Sequence, residues 1–125
     1  MNNQKLFPEP FFERHVFSCG NERPAGHPRG CCKDRGGVEL RNYMKARAKE
    51  EGIDGIRVNA AGCLDRCELG PVFVVYPEGV WYSCQSREDV DEIVEKHLKH
   101  GEIVTRLQLT NDQTELRPEQ KRAAE

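Results

Sequence analysis

A chain of 125 residues builds one hydrophobic core rather than two, and 37% apolar with 32% charged residues fits a folded unit of about 85 to 90 residues with polar ends. Nineteen Lys and Arg against 21 Asp and Glu leave a net charge of −2 with no long run of either sign, so composition offers no footprint for nucleic acid or an anionic membrane. The opening stretch MNNQKLFPEPFFERH lacks a cationic segment leading into a long apolar one, and no window reaches the roughly 18 apolar residues of a membrane span; a cytoplasmic protein is expected.

In chain order, RHVFSC (14–19) has the length and the β-branched and aromatic content of a short strand, and GNERPAGHPRG after it, rich in Gly and Pro without a period, predicts a long loop. From Gly37, Leu40, Tyr43, Met44 and Ala48 recur at helical spacing and Gly52 supplies a stop. GIRVN (55–59) alternates like a strand, and VFVVYPEGVWYS (72–83) predicts two strands joined by a tight turn at Pro77, Glu78 and Gly79. SREDVDEIVEKHLKHG predicts a helix capped by Ser86, acidic at its start, basic at its end and stopped by Gly101, with Val90, Ile93, Val94, His97 and Leu98 as its buried stripe. EIVTRLQL can add a short edge strand. The expected domain plan is an amino-terminal arm over 1–13, a folded unit over 14–109 and a polar, disordered tail over 110–125. The three phenylalanines of the arm predict packing on the domain or on a partner subunit.

This β-α-β-β-β-α order predicts an α/β fold with a thioredoxin-like layout and a mixed sheet of four to five strands, in which the first strand, helix and second strand form a right-handed parallel crossover. In such a crossover the carboxyl ends of both strands share one edge of the sheet, where open α/β sheets build their sites. Of the six cysteines, Cys19, Cys31 and Cys32 follow the first strand, and Cys63 and Cys67 follow the second; Cys84 comes after the hairpin. In a reducing compartment these are thiols or thiolates, which favours metal binding or redox chemistry over a disulfide framework. Four thiolates converging on one rim suit either zinc or an iron–sulfur cluster. The wide Cys-x12-Cys interval between 19 and 32 weighs toward the cluster, because structural zinc sites usually use close pairs. A thiol–disulfide enzyme is disfavoured, since no Cys-x-x-Cys is present.

Three stretches in combination, HVFSCGNERPAGHPRGCC, AAGCLDRCELGPVFVVYPEGVWYS and REDVDEIVEKHLKHGE, resemble the thioredoxin-like [2Fe–2S] ferredoxins, the family that includes the Shethna protein I type. The resemblance spans about residues 14 to 109. It implies one [2Fe–2S] cluster per chain, held by Cys19, Cys32, Cys63 and Cys67, in a one-electron carrier that forms a homodimer, docks donor and acceptor redox proteins in turn, and is not an enzyme. Relatives commonly have serine before the second ligand where this chain has Cys31, which makes Cys31 the substitute ligand should Cys32 not serve. Two alternatives accompany this reading: a redox- or oxygen-responsive protective protein that uses the cluster as a switch, and a four-thiolate zinc module for protein interaction.

Other conspicuous residues have plainer readings. Cys84 is expected as a small buried thiol, His27 as part of the long loop, and His97 as a satisfied histidine at the edge of the core. Trp81 and Tyr82 alternate across a strand, so one is expected in the core and the other on the surface or at a dimer contact.

Overall fold

The structure, a computed structural model, describes residues 12–19, 36–62, 66 and 69–120. A five-stranded sheet forms from β1 (Arg14–Cys19), β2 (Ile56–Ala61), β3 (Val72–Tyr76), β4 (Val80–Ser83) and β5 (Gln108–Leu109), in the spatial order β2-β1-β3-β4-β5. β1 and β2 are parallel, joined through the helix α1 (Gly37–Glu50), and every other pairing is antiparallel. The expected crossover, hairpin and edge strand are all present. β3, with four consecutive buried residues, lies in the middle of the sheet, where both faces of a strand are covered.

Alternation along the strands sends Val16, Val58, Phe73, Val75, Val80 and Tyr82 to one face. There they meet Leu40 and Met44 of α1 and Val90, Ile93, Val94 and Leu98 of the last helix. Burying each large side chain of this set stabilises the fold by roughly 1.5–3 kcal/mol. Tyr43 and Arg47 of α1 both bond Asp91, at 2.8 and 3.0 Å, which fixes the two helices side by side.

The last helix opens as α2 (Arg87–Glu92), with the Ser86 hydroxyl accepting the Asp89 N–H, as its capping sequence predicts. It then continues as a π-wound segment, Ile93–Leu98, where the sequence predicts ordinary α winding. No glycine or proline marks that change of winding, so the pattern of apolar residues carries no sign of it. The predicted stripe of Val90, Ile93, Val94, His97 and Leu98 is buried throughout. Gly101 ends the helix at φ +77°; a Cβ there would strain the backbone and stand 2.9 Å from Arg14 Nη2.

The second face of the sheet has no helix among the described residues. Its β4–β5 side is covered instead by a cluster of Leu69, Val72 and Leu109 with Trp81 and Leu116. This corrects the expectation of a disordered tail beginning at 110. Residues 110–120 fold back on the sheet and end in a 3₁₀ turn, Pro118–Gln120. Gln120 is only 1% exposed; its amide donates to the Gln108 carbonyl and accepts from the Gln113 side chain and the Arg117 N–H. Polar side chains that satisfy backbone groups order a segment without any apolar period. Residues 121–125 lie outside the described residues.

On the β1–β3 side of the same face, Phe12, His15, Phe17 and Tyr76 form an aromatic row. His15 stacks on Phe17 at 4.3 Å, Phe12 meets His15 edge-on at 5.1 Å, and Tyr76 is 43% exposed. Phe12 is the one phenylalanine of the predicted arm that is described, and it packs on the domain. No helix of the described residues is long and apolar enough to cross a membrane.

Candidate functional site

The site begins where β1 ends. Cys19 is the last residue of β1 and pairs in register with Ala61, the last residue of β2. Because the two strands are parallel, both chains leave the sheet at the same edge, one toward Cys31 and Cys32 and the other through Gly62 toward Cys63. The Cys19 side chain is 1% exposed and forms no disulfide. On the opposite face of the strand the Ser18 hydroxyl is buried with no hydrogen-bond partner among the described residues. A buried thiol held in no disulfide suits a ligand with affinity for sulfur.

Cys31, Cys32, Cys63, Cys67 and His27 lie outside the described residues. The described residues alone hold no group of three metal-ligating side chains, so Cys19 is the member of the predicted ligand set whose surroundings are visible.

The stretch that follows Cys67 is fastened by three successive residues of the chain after β4. The carbonyls of Leu69, Gly70 and Pro71 accept, in order, from the Ser83 hydroxyl at 2.7 Å, the Gln85 side-chain amide at 3.1 Å and the Cys84 N–H at 3.0 Å. The Gln85 amide also bonds Ser83 Oγ at 2.7 Å, and the Gln85 N–H donates to Asp89 Oδ2 at 2.8 Å, which carries the lattice into α2. The Gly70–Pro71 peptide bond is cis. Ser83, Gln85 and Asp89 carry no metal-binding signature in sequence; their spacing after the hairpin reads only as a strand end followed by a helix cap.

Between Cys63 and Cys67, Arg66 is described. Its Nη2 donates to the Thr110 carbonyl at 2.6 Å and to the Gln113 carbonyl at 3.3 Å, and the guanidinium lies over the Trp81 ring at 5.2 Å. The Arg66 carbonyl accepts the Leu69 N–H at 2.9 Å. Nothing in the sequence singles out Arg66, because its acceptors are main-chain carbonyls more than 40 positions away.

The plainer reading of Cys84 holds, and that of His97 as a satisfied histidine holds only in part, since its Nε2 has no hydrogen-bond partner among the described residues. Cys84 is fully buried, and burial pushes its thiol well above the usual range, with the nearby Asp89 adding to the effect. Such a thiol is inert rather than reactive. His97 is buried and bonded to Tyr82, and of the Trp81–Tyr82 pair Tyr82 lies in the core.

No protein-family model matches the chain. Among curated proteins it is 49% identical over 96 residues to "Ferredoxin, 2Fe-2S" of Aquifex aeolicus (strain VF5), a match covering 75% of this chain and 86% of that protein. It is 40% identical over 98 residues to "Ferredoxin, 2Fe-2S" of Clostridium pasteurianum, covering 78% of this chain and 96% of the relative. Among solved structures, that of a thioredoxin-like [2Fe–2S] ferredoxin from Aquifex aeolicus superposes with a TM-score of 0.73 at 45% identity, over 78% of this chain and 90% of the other.

Proposed function

This chain belongs to the thioredoxin-like [2Fe–2S] ferredoxins, and from that premise we propose that it carries single electrons between redox proteins through one [2Fe–2S] cluster per chain bound by Cys19, Cys32, Cys63 and Cys67. The observation that carries the ligand assignment is the parallel register of Cys19 with Ala61, which starts both cysteine-bearing segments at one edge of the sheet. The buried, unpaired Cys19 thiol fits sulfur ligation of iron.

When bound, a four-cysteine [2Fe–2S] cluster accepts and releases one electron, in plant-type ferredoxins near about −400 mV. The chain's own residues contribute binding and restraint. Cys19 offers a thiolate from the last residue of β1, paired with Ala61 of β2 and following a residue, Ser18, that β3 pairs as well. The ladder from Ser83, Cys84 and Gln85 to the carbonyls of residues 69–71 restrains the segment beyond Cys67. Burial of Cys19 keeps water from its sulfur. Anchoring of this kind limits rearrangement between two charge states.

As a carrier the protein transforms no substrate, and it works in the cytoplasm with neither nucleic acid nor membrane as a partner. A homodimer is supported by the aromatic row of His15, Phe17 and Tyr76 on the sheet face without helices, a surface suited to a second copy. The cluster-binding unit of 14–109 extends through residue 120, whose side chain is part of the fold.

The test is a visible spectrum of anaerobically purified protein before and after dithionite, with iron and acid-labile sulfide counted. About two of each per chain and bleaching on reduction are expected. A colourless protein with one zinc per chain would overturn the assignment.

A further inference from the structure

We propose that Arg66 is a positioning residue for the cluster-binding segment, clasping the interval between Cys63 and Cys67 to Trp81 and to the folded-back stretch 110–113; this rests on the ligand assignment above. Three features carry it.

The first is the choice of acceptors. Among the described residues the guanidinium forms no ion pair and instead donates to two main-chain carbonyls, Thr110 at 2.6 Å and Gln113 at 3.3 Å. Both bonds leave one nitrogen, Nη2, so two carbonyls of one turn converge on a single donor while the planar group lies over Trp81.

The second is the platform. Trp81 lies under the guanidinium at 5.2 Å and belongs to the apolar cluster with Leu69, Leu109 and Leu116, so the ring is held by its own neighbours.

The third is that the receiving turn is itself tied down. The Thr110 N–H donates to Gln113 Oε1 at 3.1 Å, and Gln113 Nε2 donates to Gln120 Oε1 at 2.8 Å. Gln120 Nε2 in turn donates to the Gln108 carbonyl at 2.8 Å, one residue pair from Trp81 across the β4–β5 ladder. The chain of contacts therefore runs from Arg66 through 110–113 and Gln120 back to the sheet. A polar carboxy-terminal stretch with no ligand of its own thus acts on the segment between two cysteines.

If Arg66 only filled surface, its replacement would leave the iron environment unchanged. If it positions the segment, the holoprotein loses iron faster and the reduced protein's electron paramagnetic resonance signal broadens, while secondary structure stays intact. The experiment compares wild type, Arg66→Gln, Arg66→Lys, Gln120→Ala and the double variant Arg66→Gln/Gln120→Ala. All are loaded with iron and sulfide; bleaching under a chelator, the resonance of the dithionite-reduced form, the reduction potential and far-ultraviolet circular dichroism are recorded.

The expected result is bleaching about tenfold faster in Arg66→Gln, the factor that about 1.4 kcal/mol corresponds to. Arg66→Lys, which keeps the charge and loses the planar group over Trp81, bleaches faster than wild type with a smaller change in potential than Arg66→Gln. The double variant is no faster than Arg66→Gln alone, since both changes break one chain of contacts. Bleaching and resonance at wild-type values in Arg66→Gln overturn the proposal, as does full additivity in the double variant. Should Arg66→Gln fail to fold, Arg66→Lys and Gln120→Ala decide by the same bleaching and resonance criteria. A wild type that takes up no [2Fe–2S] cluster is a different outcome and removes the ligand assignment itself.

Discussion

Tyr82 Oη lies 2.7 Å from His97 Nδ1, with both residues fully buried, and the same oxygen accepts the Val104 N–H at 3.0 Å. The phenol oxygen thus serves both groups, and the other ring nitrogen of His97, Nε2, faces Glu78 Oε1 at 3.4 Å, beyond good hydrogen-bond reach but within electrostatic attraction.

Removing that phenol leaves two buried partners, His97 Nδ1 and the Val104 N–H, unsatisfied. Each unsatisfied buried group costs about 1–3 kcal/mol, so Tyr82→Phe is expected to lower unfolding stability by roughly 2–6 kcal/mol. A urea titration followed by circular dichroism checks this. An unchanged midpoint would mean that water or another donor replaces the hydroxyl.

The same pair sets the limits of stability in pH. Burial lowers the pKa of His97 below its ordinary 6.5, against the opposing pull of Glu78. The unfolded chain then binds a proton that the native one refuses, so stability falls as pH drops from about 6.5 toward the lowered value. Tyr82 is pushed up to about 12 by burial, so its contribution is complete below its ordinary 10.0 and is lost as pH rises from there toward 12. Stability measured against pH should decline at both ends, and His97→Gln should flatten the acidic decline alone.

Cys84 is predicted to resist chemistry that reaches exposed thiols. Its burial and raised pKa keep it protonated and out of reach. Peptide mapping after iodoacetamide treatment is expected to find Cys84 unmodified in native protein and fully modified in denaturant. Cys84→Ser should leave the visible spectrum of the loaded protein unchanged.

For the adjacent cysteines the expected outcomes differ. Cys32→Ser is expected to alter the visible spectrum of the loaded protein and the resonance of its reduced form strongly, and Cys31→Ser to leave both alone. Side chains of neighbouring residues point apart in most backbone conformations, so one of the two serves. The reverse pattern would exchange their roles.

Much of the architecture was legible because period and punctuation coincide. Arg14–Cys19 alternates and is followed by a glycine-rich stretch, α1 runs from Gly37 toward Gly52, and the turn at Pro77–Gly79 separates two apolar runs. The position of Cys19 at the sheet edge followed from the parallel direction of the two strands in the crossover. Spacing alone could not choose between zinc and a cluster; the family resemblance made that choice. What escaped the reading depends on contacts between distant polar residues. The order in 110–120 comes from glutamines serving main-chain groups, and the role of Arg66 comes from carbonyls that have no side-chain identity to read. The π winding of Ile93–Leu98 keeps the same residues buried as α winding does, so the apolar stripe is blind to it.

The turn between β3 and β4 lies at the end of the sheet where β1 starts, with Glu78 paired to Arg14 at 3.1 Å. Cys19, at the other end of β1, is about 16 Å away along the strand at the usual rise per residue. The sheet is therefore polarised, with the β3–β4 hairpin at one end and Cys19 at the other. Grafting a surface-binding tag into the hairpin would tether every copy in the same attitude, rim outward, and turn a freely tumbling carrier into an oriented layer on an electrode.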